Sequence, residues 1–333
     1  MRRPALPSWL PIDPFILLLL AMVGLAALFP ASGGAADVVD VASSIAIGLL
    51  FFLYGVRLST REALAGLVHW RLHLFIVLCT FVLFPLLGLA ARGLVPYVLT
   101  DELYTGVLFL CLVPSTIQSS IAFTSIARGN VPAAICAGTY SALLGMVLTP
   151  LLAAWLIGSE ADFSAAGLLG IGAQLLAPFL AGQLLRRWIG GFVQRHRRVL
   201  GRVDRVSILL VVYAAFSEGM EQDIWHQVTV GRLFALAGVL AVLLAVVLAV
   251  TTTLSRRLGF ERGDRIAIVF AGSKKSLANG LPMAAVLFGA QASLTILPLM
   301  LFHQLQLIVC AFIAKRWGRE AQMSSPEPPY IRA

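Results

Sequence analysis

Two adjacent lysines, Lys274 and Lys275, stand inside the long apolar run from Ile266 to Phe288. A lysine at the centre of a bilayer costs roughly 2.5–3.5 kcal/mol on insertion scales. Their neighbours Gly272, Ser273, Ser276, Asn279 and Gly280 are small or polar. That composition predicts a helix broken in mid-membrane and turned toward a polar cavity, the arrangement around which transporters build binding sites. Three roles are open to the ammonium groups. They could snorkel to an interface. They could pair with carboxylates, although Asp13 and Glu218 lie near span ends and the span interiors hold almost none. They could line a cavity, meeting an anionic substrate or standing where another carrier holds a metal ion.

A second cluster is Pro114-Ser-Thr-Ile-Gln-Ser-Ser120, again midway through an apolar run. Pro114 removes a backbone donor, and the groups freed around it need partners that lipid does not supply. Ser115, Thr116, Gln118, Ser119 and Ser120 could be those partners or could hold a ligand. Hydroxyl side chains in membrane helices often bond their own backbone; five polar residues around one proline point further, to a site. Thr139, Tyr140 and Ser141 in the next apolar segment could face the same cavity, as could Asn279, His303, Gln304 and Gln306. His69 and His73 are four residues apart beside Trp70 and Arg71, where interfacial anchoring explains them better than metal binding. There is no phosphate-binding loop, serine elbow or helical His-Glu pair, so neither an enzyme nor a cofactor is expected. Cys79, Cys111, Cys136 and Cys310 lie in apolar runs without metal or redox spacing and read as packing residues.

The elements that must position these clusters follow from the composition. The 333 residues are 59% hydrophobic and only 12% charged, with a mean hydropathy of +0.90; a soluble chain carries about 25% charged residues. This is an all-α polytopic membrane protein. Ten transmembrane helices are expected near 12–31, 38–57, 71–93, 103–127, 131–157, 163–186, 205–221, 232–255, 264–289 and 293–314. The first resembles a signal peptide in its flanks and is read as a retained span. The net charge of +9 does not point to nucleic acid, because the basic residues cluster in short alternate loops. Arg57, Arg61 and Arg71, Arg128, the group Arg186 to Arg205, Arg256 to Arg265, and Lys315 to Arg319 fall on one side; Asp37, Asp101, Glu160 and Asp223 fall on the other. Both termini are therefore expected in the cytoplasm of an inner, plasma-membrane protein.

The connector, about 187–204, divides the chain into five spans and five. An odd number reverses the second half, so two inverted five-helix repeats are expected, about 12–157 and from 163 to 316 with the connector set aside. The two polar interruptions then occupy the fourth span of each half and form two broken, crossing helices. Residues 317–333, with Ser324-Ser-Pro-Glu-Pro-Pro329, read as a disordered tail.

These motifs resemble the bile acid:sodium symporter superfamily, in the divergent branch of solute carrier family ten typified by its member seven. The resemblance is carried by Phe51-Phe-Leu-Tyr-Gly-Val-Arg-Leu-Ser59, the stretch Pro114 to Asn130, Leu143 to Leu152 with its Leu-Thr-Pro-Leu-Leu, and Gly272-Ser-Lys-Lys-Ser-Leu-Ala-Asn-Gly-Leu-Pro282. It implies a panel domain of spans one, two, six and seven beside a core of the other six. It also implies sodium ions and a substrate held where the broken helices cross, with Ser119, Ser120 and Ser273 as the positions that could hold sodium. Two departures stand out. Ser273-Lys-Lys-Ser-Leu-Ala278 has no carboxylate where the family's ninth span carries one, and Thr80 falls where a third-span glutamine is expected. The expected function is secondary transport of a small organic anion by alternating access, with Lys274 or Lys275 either offsetting substrate charge or standing in for a coupling cation, and with weak or absent sodium dependence at the ninth-span break. The competing expectation is a regulatory membrane protein that keeps the transporter fold without turnover.

Overall fold

The computed structural model describes residues 14–57, 69–158, 165–221 and 229–323. Every regular element among them is helical. The two chain ends that flank the described residues, and positions such as Arg61, Glu160, Asp162, Asp223 and Ser324, lie outside them.

In chain order the helices are α1 Pro14–Leu28, α2 Gly34–Arg57, α3 Trp70–Leu78, α4 Phe84–Ala90, α5 Asp101–Leu112, α6 Gln118–Ile126 and α7 Val131–Leu156. There follow α8 Ala165–Arg195, α9 Arg197–Glu221, α10 Val230–Arg257, α11 Arg262–Gly272, α12 Leu277–Phe288 and α13 Ala292–Met323. Five stretches are long and apolar enough to cross a membrane: Gly34–Arg57, Trp70–Leu94, Val131–Leu156, Val230–Arg257 and Ala292–Met323. Apolar side chains face outward along them, among them Val38, Val41, Ile45, Leu151, Phe234 and Val242. Lipid rather than water suits such a surface, because an apolar patch of that extent on a soluble protein would drive association. Trp70, Trp155 and Trp188 are also exposed, as interfacial tryptophans are.

Polar residues set where helices begin. Thr100, Asn130, Thr229 and Ser276 cap α5, α7, α10 and α12 by accepting a hydrogen bond from the backbone N–H three residues on. Two close helix pairs organise the rest. In the first, α2 lies against α8 at Gly55 and Gly182, where an added Cβ would sit 2.1 Å from the Phe179 carbonyl oxygen and 2.2 Å from that of Phe52. Small residues allow this backbone approach, the usual device of membrane helices. α9 then packs on α1 and α2, and Arg57 pairs with Asp204 across α2 and α9. In the second group, α5, α12 and α10 all pack on α13, while α11 packs on α3, α6, α7 and α10.

The connector expected at about 187–204 is helical. α8 runs through Arg195 and α9 begins at Arg197, so only His196 separates them. Its arginines are exposed and lie on helix surfaces rather than a loop. α13 likewise continues to Met323, so 317–323 form helix where the sequence read as tail. At about 1.5 Å per residue this helix is about 48 Å long, longer than the hydrocarbon core alone requires.

Candidate functional site

The two polar clusters are the two places where a helix breaks. α5 stops at Leu112 and α6 starts at Gln118; α11 stops at Gly272 and α12 starts at Leu277. The first break has a local cause. Val113 precedes a proline, a position biased away from helix, and it is extended at φ −67°, ψ 145°. The second break contains no proline. Both breaks strand carbonyls at a helix C-terminus, and each buried one must find a donor.

Most of the donors come from the other half of the chain. Cys111 would accept from Ser115 in a continuous helix, but the Ser115 N–H instead bonds the Ser141 hydroxyl at 2.8 Å. The Cys111 carbonyl takes the Lys275 ammonium at 2.7 Å, and the Val113 carbonyl takes it at 2.8 Å. The Leu112 carbonyl accepts from the Thr149 hydroxyl at 2.9 Å, and the Pro114 carbonyl from the Ser276 N–H at 2.8 Å. On the other side, Ser115 Oγ donates to the Ala271 carbonyl at 2.5 Å and Ser120 Oγ to that of Phe270 at 2.9 Å. The two breaks are hydrogen-bonded directly to one another.

A third carbonyl completes the surroundings of Lys275. Between α3 and α4 the helix widens into a π turn at Cys79–Leu83, in which the Phe84 N–H reaches back to Cys79. The next donor in that pattern would belong to residue 85, which is proline and has none. The Thr80 carbonyl is thereby freed, and Lys275 Nζ donates to it at 3.0 Å. The Thr80 hydroxyl turns back onto its own helix at Ile76, so it is the main chain of Thr80 that belongs to the site. With three carbonyls around it and the Phe84 ring 4.1 Å from Nζ, Lys275 uses all three ammonium donors at the negative end of α5. Its own backbone is clamped: Gln306 Oε1 accepts its N–H at 2.8 Å and Gln306 Nε2 donates to its carbonyl at 2.9 Å.

Lys274 is placed differently. It too is 0% exposed, yet its Nζ has no hydrogen-bond partner. It lies 3.8 Å from the centre of the Phe123 ring and 5.6 Å from that of Phe270. A desolvated cation–π contact is worth about 2 kcal/mol, which offsets only part of the burial of an ammonium group. One lysine is thus fully bonded, and its neighbour is held against aromatic carbon.

One face of α7 splints the first break. Gly138 lies against Ile117 and Gly145 against Pro114, where an added Cβ would meet the proline Cβ at 2.5 Å. Ser141 and Thr149, on the same face, supply the hydroxyls described above. Gly145 and Thr149 fall in the Leu143–Leu152 stretch but are not among the expected site residues, although the steps of three, four and four through Gly138, Ser141, Gly145 and Thr149 are helical.

The remaining expected site residues divide. Ser115, Ser120, Ser141, Ser273, Ser276 and Asn279 are buried at or beside the crossing, with Thr139 buried on α7. Ser273 Oγ donates to the Val269 carbonyl, and Ser276 caps α12. Ser119 Oγ is buried without a partner. Thr116 is half-buried, and Gln118 is exposed at the start of α6. Of the glutamines on α13, Gln306 reaches the break and Gln304 does not; the Gln304 carbonyl oxygen is buried unbonded. His73 is not an interfacial anchor. It is buried against Tyr140 with ring centres 5.0 Å apart, while His69 is exposed. No cluster of metal-ligating side chains occurs among the described residues.

Discontinuous helices that meet at buried lysines inside an all-helical, lipid-facing chain define a membrane transporter. The profile of the SBF-like CPA transporter family matches residues 13–319, and the chain belongs to that family. It is 55% identical to "Uncharacterized protein PA2026" of Pseudomonas aeruginosa over 94% of this chain and 95% of that protein. It is 47% identical to YfeH of Escherichia coli over 93% and 94% of the two chains. It is 28% identical to Sodium/bile acid cotransporter 7 of Mus musculus over 89% of each. The family consists of transporters and not enzymes, and the protein is integral to a membrane.

Proposed function

We propose that the chain is a secondary transporter of a small organic anion that works by alternating access where the two broken helices cross. One observation carries this reading: Lys274 is fully buried beside the crossing with no hydrogen-bond partner, a cation held in reserve for a negative substrate. The N-terminal ends of α6 and α12 begin at the same breaks, and their dipoles favour an anion there.

The layout in this proposal is ten spans in two inverted repeats. α1, α2, α8 and α9 form the panel; the other helices form the core. The packing of α2 on α8 and of α9 on α1 and α2 supports that division. The Tyr54 hydroxyl, which donates to the Ala278 carbonyl at 3.3 Å, is a polar link from panel to core that a rocking motion would break. The arginine-rich loops and both termini are taken to be cytoplasmic, in an inner, plasma membrane.

In this reading coupling does not use sodium at the ninth-span break. The carbonyl oxygens of Thr80, Cys111 and Val113 have the chemistry to hold a cation, and the Lys275 ammonium already occupies them. The Ser120 and Ser273 hydroxyls donate to backbone carbonyls and keep their lone pairs, so it is the seated Lys275 ammonium that stands against a sodium ion here. The residues present therefore do not fit a sodium ion at this place.

Uptake into proteoliposomes, with a panel of labelled organic anions and imposed sodium or proton gradients, tests the proposal. Flux of an anion that is lost in Lys274→Gln and indifferent to sodium is the expected result. Absence of flux for every solute, above empty liposomes, would refute transport and favour a regulatory protein of the same fold.

A further inference from the structure

A second basic site lies away from the crossing. A cavity of about 200 Å³ opens between the C-terminal turns of α10, the first turns of α11 and the last turns of α13. Its lining includes Arg256, Arg262, Arg265, Trp317, Glu320 and Thr252. Three arginines and one glutamate share this lining.

Of the three carboxylates nearby, Glu261 is exposed at the N-cap of α11, and the other two are already engaged. Glu320 accepts from Arg316 Nε at 3.0 Å, and Asp264 accepts from Asn130 Nδ2 at 2.7 Å. Arg262 donates to the Trp317 carbonyl at 2.8 Å, which ties α11 to α13 at the cavity wall. Arg256 and Arg265 have no carboxylate partner among the described residues, unlike Arg57, which is paired with Asp204. Guanidinium forks match phosphate oxygens in geometry as well as charge. The volume corresponds to about seven waters, enough for a phosphate ester and its ester oxygen but small for a nucleotide. Exposed apolar side chains, Leu254 on α10, Leu258 just past its end and Phe312 on α13, flank the cavity and could meet acyl chains.

We propose that this cavity binds a phosphate-ester anion, held by Arg256 and Arg265 with Arg262 and Trp317 forming the wall. Basic pockets between membrane helices on the cytoplasmic side are sites where anionic lipid headgroups dock. A ligand here spans α10, α11 and α13, and α11 ends at the break that carries Ser273, Lys274 and Lys275. Occupancy therefore clamps one end of the broken helix whose other end forms the crossing. The site is independent of the transported solute and of sodium coupling.

The test uses the full chain in detergent and in nanodiscs. Native mass spectrometry and thermal unfolding are measured with phosphatidylglycerol, with phosphatidylcholine and with inorganic phosphate. Phosphatidylglycerol should be retained and should raise the unfolding midpoint; phosphatidylcholine should do neither. An Arg256→Gln/Arg265→Gln double variant should bind about thirtyfold more weakly, from about 1 kcal/mol for each arginine removed. An Arg195→Gln/Arg198→Gln control, equal in charge but on exposed positions of α8 and α9, should bind as the parental protein does. If inorganic phosphate alone stabilises the parental protein and the double variant abolishes that effect, the site stands and its ligand is a free phosphate. Far-UV dichroism and melting in neutral lipid establish that the double variant is folded. A photoreactive residue in place of Thr252 gives a second measurement, crosslinking phosphatidylglycerol in preference to phosphatidylcholine. Equal binding by the double variant, equal loss in the control, or crosslinking indifferent to headgroup would overturn the proposal.

Discussion

Replacing Lys275 with alanine tests whether an ammonium group does the work of a bound cation. Its three hydrogen bonds to the Thr80, Cys111 and Val113 carbonyls are charge-assisted, worth about 1.5–3 kcal/mol each. Against that gross gain of about 5–9 kcal/mol stands the burial of the charge, about 2.5–3.5 kcal/mol. Lys275→Ala should therefore lose about 2–6 kcal/mol, a large share of the ~5–15 kcal/mol that holds a typical domain folded. Three carbonyls would be left facing an emptied space. Thermal unfolding in nanodiscs, with sodium, potassium or choline as the only added cation, is the assay. The parental protein should be indifferent to the cation, because a sodium ion about 4 Å from the ammonium meets about 4 kcal/mol of repulsion at an effective dielectric of 20. Lys275→Ala should melt lower and recover part of the loss in sodium but not in choline, since a small cation can take the vacated carbonyls. A parental midpoint that climbs and saturates with sodium, together with an undiminished Lys275→Ala variant, would refute the reasoning.

Other perturbations separate the parts of the site. Gly145→Ala places a methyl 2.5 Å from the Pro114 Cβ and should cost about 1–3 kcal/mol and most of the uptake, whereas Gly48→Ala, with open space around it, should be neutral in both assays. Gly182→Ala drives a Cβ to 2.2 Å from the Phe52 carbonyl and should separate α8 from α2, which a fall in melting temperature would report. Single Lys274→Gln and Lys275→Gln changes should impair uptake more than Ser273→Ala, because the Ser273 hydroxyl carries no charge and bonds only the Val269 carbonyl of its own helix and the Cys310 thiol. Single-cysteine labelling should reach position 160 from outside and position 197 only after permeabilisation; the reverse pattern would invert the assumed orientation and the repeat relation with it.

Part of this protein is written locally in its sequence. Apolar runs with charged loops force helices into a bilayer, because no other open structure satisfies its backbone there. Pro114 dictates the first break on its own, since it biases Val113 to an extended conformation and removes a donor. The two lysines are legible as an anomaly for the same reason: their cost in lipid is large wherever they point.

Tertiary structure decided what each lysine does. Nothing in the pair Lys274-Lys275 tells which ammonium reaches three carbonyls and which meets Phe123, because those partners lie about 150–195 residues away in sequence. The second break has no proline, and its conformation depends on Gln306 and on the Pro114 carbonyl, both remote from it. The choice of Gln306 over Gln304 follows from helical phase, since two residues along α13 turn a side chain by about 200°. The freed carbonyl of Thr80 needs a π turn and Pro85 together, and a side-chain reading looks at its hydroxyl instead. The helical form of 189–195 and 197–204 likewise belongs to packing and continuity of α8 and α9, where the density of arginines reads as a loop. The chain's own chemistry announced that something buried and cationic must be satisfied; only the crossing of two broken helices determined by what.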